Sequence, residues 1–224
     1  MVEEKAIGSA RVNSKSDILN RIKVALNAHD PSRPAEAEEE WRQLPRYYRR
    51  IGTLNEAERI ELFDQRIRHY NGTPFYSTGN IRADIGSILS SRGKRVLIVP
   101  PAFPTEWRPP GFMFIPDENL SKDQLDLNDG VVTLCTLAIA LTGTVVLQSS
   151  REQGRRAATL IPDYHLCVLH HEDIVELVPE AIRKLHPIKD RPLTFFSGPS
   201  ATVDIEMTRV RGVHGPRTLD VLII

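Results

Sequence analysis

The sequence predicts an α/β fold with a largely parallel sheet, and three observations carry that expectation. In the second half, short β-branched runs alternate with helical segments: "GVVTLC", "TGTVVLQSS" and "YHLCVLHH" lead to a helical "EDIVELVPEAIRKL", then come "LTFFSG", a short helical turn and "TLDVLII". Alternation of this kind builds layered α/β domains. The run "KRVLIVPP" is continuously apolar at its centre, as in a strand buried on both faces. Finally, 224 residues suffice to bury a sizeable core.

Each element follows from local pattern. In "SDILNRIKVALNA", Ile18, Leu19, Ile22, Ala25 and Leu26 share one helical face behind a Ser16 cap. The segment "HDPSRPAEAEEEWRQLPRYYRR" is proline-rich and acidic, and reads as a loop or arm that Trp41, Tyr47 and Tyr48 can pin to a core. Residues 1–50 are therefore expected to be an N-terminal helix and arm, and residues 51–224 the α/β domain. Two amphipathic helices open the domain, one between an Asn55 cap and a Gly72 stop, the next between Asn80 and Gly93. After "KRVLIVPP", the loop "PPAFPTEWRPPG" offers Phe103 and Trp107 as docking rings. Pro179 kinks "EDIVELVPEAIRKL" or marks a new first turn.

Composition narrows the function classes. Lysine plus arginine and aspartate plus glutamate number 29 each, with no long basic block, so nucleic acid is not expected as a partner. The start "MVEEKAIGSARVNSKSD" is acidic where a signal peptide is positive, and no apolar run follows, so a cytoplasmic location is expected. The uncharged run at 131–147 is shorter than a spanning helix and rich in threonine and β-branched residues, which favours buried strands joined by a turn over a membrane segment. Cys135 and Cys167 each sit in an apolar run without a Cys-x-x-Cys or His/Cys cluster, and read as buried structural thiols.

Several constellations can carry chemistry. Thr142-Gly143-Thr144 precedes a strand, where a glycine permits close approach and hydroxyls can hold an oxyanion; a plain turn uses the same residues. Arg151, Arg155 and Arg156 around Gly154 either clamp an anion or stay solvated. His165, His170 and His171 near Glu172 and Asp173 invite a metal reading, but neighbouring strand residues face opposite ways and no ligand spacing emerges, so no metal site is expected.

The last thirty residues hold the strongest pattern. "LTFFSGPS" reads as a strand that breaks at Ser197-Gly198-Pro199-Ser200 into a helical turn, a place where α/β proteins bind anions. On such a helix Ser200, Asp204 and Thr208 share one face and Thr202 and Glu206 another, so the two carboxylates make a poor acid/base pair. "GVHGPR" exposes His214 between glycines as a weak candidate for a general base, with Arg217 nearby, although a histidine bonded to local carbonyls in a Gly-Pro turn fits equally. Thr142, Gly143, Thr144, Ser197, Gly198, Ser200, Thr202, Asp204, Glu206, His214 and Arg217 are thus the ligand-binding candidates.

The runs "TFFSGPSATVDIEMTRVRGVHGPRTLDVLII", "DGVVTLCTLAIALTGTVVL" and "GRRAATLIPDYHLCVL" resemble the LUD domain family, and within it the lactate utilisation protein C type, over residues 80–224. One departure is local: Leu141 stands where members often carry an acidic residue before Thr-Gly-Thr. The resemblance implies a three-layer α/β/α domain similar to the sugar-isomerase and CoA-transferase-like superfamily, which includes folate cyclo-ligase-like proteins. It also implies an accessory role in a cytoplasmic iron-sulfur system that oxidises L-lactate to pyruvate, with the clusters in partner subunits and no cofactor in this chain. Two separated cysteines agree with that division, since a cluster takes about four thiolates. The alternative is an independent enzyme that binds a small anionic metabolite, and a ligand-sensing or scaffolding domain is a third reading.

Overall fold

The computed structural model describes residues 14–26, 33–203, 209–211 and 215–224, and the chain divides into two units, residues 1–48 and 49–224. In the first unit, α1 (Ser14–Ala25) is the expected helix, with Ile18, Leu19 and Ile22 exposed on it. The proline-rich segment differs from expectation, because it contains a helix, α2 (Arg33–Gln43). The reason is local: Pro34 falls in the first turn, where a missing N–H costs nothing, and the alanines and glutamates that follow are strong helix formers. Arg42 and Gln43 then bond to Glu38 and Glu39 one turn back.

The second unit begins with α3 (Glu56–His69) and β1 (Thr73–Tyr76), followed by α4 (Ile81–Ser91), β2 (Val96–Val99), β3 (Met113–Pro116) and α5 (Lys122–Asp126). Next come β4 (Gly130–Leu134), β5 (Leu137–Ile139), β6 (Thr144–Gln148), α6 (Arg156–Leu160), β7 (Tyr164–Leu169), β8 (Ile174–Val175) and α7 (Val178–Leu185). The chain closes with β9 (Leu193–Phe196), β10 (Ala201–Val203), β11 (Arg209–Arg211) and β12 (Thr218–Ile223). The caps expected at α3 and α4 form: Asn55 and Glu58 exchange side-chain-to-backbone bonds, and the Asn80 carboxamide accepts from Ala83 N–H.

Six strands make a parallel sheet in the order β1-β12-β7-β4-β2-β3. The period of two along its central strands sorts side chains to two faces. On one face Leu222, Leu166, Val168 and Val132 pack with Ile85, Ile88 and Leu89 of α4. On the other, Leu219, Val221 and Cys167 pack with Phe63 and Ile67 of α3. Helices thus cover both faces of the sheet, and the fold is the mixed α/β class expected. Phe103 is buried in the α4 layer with Trp107 edge-on to it at 6.1 Å, so both rings dock.

The strands are not all in that sheet. β8-β5-β6-β9 form a second sheet, in which β5–β6 and β6–β9 are antiparallel. Its outer side chains Leu137, Ile139 and Val146 are covered by Ala181 and Leu185 of α7. The uncharged run at 131–147 is therefore β4, β5 and the start of β6, and no helix among the described residues is long and apolar enough to cross a membrane.

Two further expectations are corrected. The helix does not run from Glu172: of the two alternatives for Pro179 the new first turn holds, the helix starts at Val178, and the preceding residues form a 3₁₀ turn and β8. Glu176, just before it, is buried and accepts from the N–H groups of Thr53 and Leu54, while Arg49 lies 2.6 Å from its carboxylate. The helical turn expected after Ser200 is instead a β-hairpin, with β10 antiparallel to β11 and Thr202 opposite Val210.

Candidate functional site

The Ser197-Gly198-Pro199-Ser200 turn lines a cavity of about 320 Å³. Its other walls come from α6, from Gly215-Pro216, and from His165 and Leu219, the second residues of β7 and β12. It therefore opens at the N-terminal ends of the parallel strands, and no helix N-terminus follows the turn. The anion cradle expected from a strand running into a helix is absent in that form. The Ser200 N–H is also committed, donating to the Pro216 carbonyl at 2.8 Å and tying the turn to the segment before β12.

Pairing of β9 with β6 carries the turn to the Thr-Gly-Thr segment. There the Thr144 hydroxyl lies 2.8 Å from the Ser197 hydroxyl and 2.7 Å from that of Thr142, a chain of three. The glycines between them serve packing. Gly198 has φ +79°, and a Cβ there would run into the Tyr70 carbonyl; Gly143 has φ +57°, and a Cβ would come within 2.8 Å of the Arg66 backbone. The room that both leave is filled by the C-terminal turn of α3, not held open for a ligand.

His165 is a buried polar group of the cavity wall, 2% exposed, with Nε2 2.8 Å from the Thr133 hydroxyl. Burial pushes its pKa down to about 3, so the ring is neutral. The Phe196 ring sits 5.7 Å from it. Arg156, exposed on α6, contributes a cation, and Thr159 beside it donates its hydroxyl to the Arg156 carbonyl. A cation, fixed hydroxyls and a neutral imidazole among apolar walls can hold and orient a small anion.

The other sequence candidates disperse. Arg155 makes a bidentate pair with buried Asp117, at 2.8 and 2.9 Å, and so braces the loop after β3. Arg217 faces Asp163 at 3.4 Å on the surface and is not among the lining residues. Asp204, Glu206 and His214 lie outside the described residues, and of Thr202 only the backbone is described. His170 rests against Trp107, and His171 lies 3.2 Å from the Glu56 carboxylate. The sequence offers His165 only as a metal-ligand candidate, and Thr133 carries no signal of its own. The available signal was the strand period, which places Thr133 and His165 on the same face of adjacent strands once their register is known.

Residues 117–224 match the LUD domain family. A Deinococcus radiodurans protein named Lactate utilization protein C is 41% identical over 175 residues, covering 76% of this chain and 82% of the relative. A Shouchella clausii protein of the same name is 33% identical over 105 residues, and the match spans less than half of it, 45%. Among solved structures, a DUF162 family protein from Deinococcus radiodurans superposes with a TM-score of 0.66 at 35% identity, covering 76% of this chain and 99% of that one.

Proposed function

This chain belongs to the LUD domain family, and from that membership we propose that it acts in lactate utilisation, as an accessory protein that binds a small anionic ligand. The observation that carries the ligand part is the cavity. The Ser-Gly-Pro-Ser turn, the most distinctive motif of the sequence, lines it together with Arg156 and the buried, neutral His165. Arg156 is placed to attract a carboxylate, and the Ser197 hydroxyl, held by Thr144, to orient it. His165 offers a neutral donor or acceptor, set by its bond to Thr133.

The electron-transfer part of lactate oxidation is assigned to iron-sulfur partner proteins in the cytoplasm. What supports this is the thiol inventory: Cys135 and Cys167 are the chain's two cysteines, both are packed in the α3 side of the core, and a cluster takes about four thiolates. The test is genetic and biochemical. A bacterial host lacking this gene is expected to lose growth on L-lactate and keep growth on glucose. Complementation with the wild type restores growth, and affinity capture of the tagged chain brings down proteins with iron-sulfur absorbance. Unimpaired growth of the deletion strain on L-lactate overturns the role, and capture without coloured partners overturns the assignment of partners.

A further inference from the structure

We propose that the Ser197–Ser200 cavity takes a monoanion with a flat apolar body, of the aryl carboxylate class, in preference to a three-carbon hydroxy acid. The inference rests on the reading of this cavity as an anion site and specifies its ligand.

Size is the first argument. At about 320 Å³ the cavity equals roughly ten water volumes of ~30 Å³ each. A hydroxy acid with three carbons fills a minor part of that space and leaves the remaining wall against water or a void. Protein sites that hold small ligands well are filled to crystal-like density, and an unfilled apolar wall forfeits its dispersion contacts.

Wall chemistry is the second. Phe195, Phe196, Leu160, Leu219 and Pro216 line the space from β9, α6, β12 and the segment before it. Phe195 is 44% exposed although its neighbours in the strand are not, which leaves a ring at the rim with open surface. A flat apolar ligand covers such surfaces by stacking, whereas a polar three-carbon acid would desolvate its own hydroxyl against them.

Charge is the third. Among the described lining residues Arg156 is the permanent cation, and His165 is neutral. One cation answers one carboxylate; a phosphoryl dianion would find no second cation among those residues. The hydroxyl of Ser197 then donates its single proton to the carboxylate, while its oxygen accepts from the Thr144 hydroxyl.

The experiment is calorimetric titration of the full chain with three probes, 2-naphthoate, L-lactate and inorganic phosphate. 2-Naphthoate is expected to bind at least about tenfold more tightly than either of the others. Arg156→Gln is expected to weaken naphthoate by about tenfold, the worth of one charge-assisted bond. Phe195→Ala should weaken naphthoate several-fold and leave the small anions unchanged. Both side chains are exposed, so both variants should fold, which an unchanged thermal melt verifies. L-Lactate or phosphate binding as tightly as naphthoate, with dependence on Arg156, overturns the ligand class and leaves the anion site standing. Naphthoate binding that ignores Arg156→Gln overturns the proposed orientation, and no binding of any probe overturns the anion site itself.

Discussion

The hydroxyl oxygens of Thr144 and Ser197 meet at 2.8 Å across 53 residues of sequence, and this contact joins the two motifs that the sequence singled out separately. Thr144 is buried and also meets Thr142, so it is the middle of the chain of three. Thr144→Val keeps the β-branched shape and removes both bonds, and is expected to cost about 1 kcal/mol. Thr144→Ser keeps the hydroxyl and should lose less. Urea unfolding midpoints check this, and a valine variant as stable as the wild type would remove the contact from the account of how the turns are held together.

Gly198 and Gly79 separate two roles of glycine. Both have positive φ, +79° and +95°, but nothing lies within 4 Å of the space beside Gly79, whereas the Tyr70 backbone fills that beside Gly198. Gly79→Ala should therefore cost only backbone strain, about 1–2 kcal/mol. Gly198→Ala adds a clash that can be relieved only by moving the end of α3, and more than about 3 kcal/mol is expected. Equal losses in thermal melts would show that α3 yields freely at Tyr70.

His165 sets a pH window. Its folded pKa of about 3 lies below the ordinary histidine value near 6.5, so the folded state resists protonation while the unfolded chain accepts it. The stability tied to the neutral ring is fully present above about pH 6.5 and falls steadily as the pH drops toward 3. Asp64, Asp84, Asp129 and Glu176 all have lowered pKa values, so their losses set in at the ordinary carboxylate range and run downward from there, and do not contribute between pH 6.5 and 5. Melting temperature is expected to decline across that interval in the wild type and to stay nearly flat in His165→Gln. Parallel profiles would place the acid sensitivity elsewhere.

Patterns local in sequence were legible, and those that depend on register were not. Asn55 and Asn80 announced their helices because a cap needs only the next three residues. The family signature likewise stood in contiguous runs. The hairpin β10–β11 is not legible, because a short run such as "SATVDIEMTRV" fits either period until a partner strand is known. "LTFFSG" was recognisable as a strand, but its sheet depended on pairing with β6. His165 and Thr133 are neighbours only through the β4–β7 register, so the buried polar pair of the cavity could not be assembled from spacing.

Asp220 makes the same point in the core. In "TLDVLII" it is the one charged residue, and on β12, between β1 and β7, it is fully buried. Arg92, from the end of α4, bonds to it at 2.7 and 2.8 Å, and the Tyr164 hydroxyl donates at 2.8 Å. Burial first, and then the nearby carboxylate, push the Tyr164 pKa well above its usual value, so that hydroxyl keeps its proton and remains a donor. Arg92→Met removes the countercharge and leaves a carboxylate inside the sheet, with an expected cost of about 3 kcal/mol or more. Asp220→Asn in the same chain removes the stranded charge and retains an oxygen for Tyr164, so the double variant should be more stable than Arg92→Met alone. Denaturant melts of the two singles and the double complete the cycle; additive losses would mean that Arg92 and Asp220 do not act as a pair.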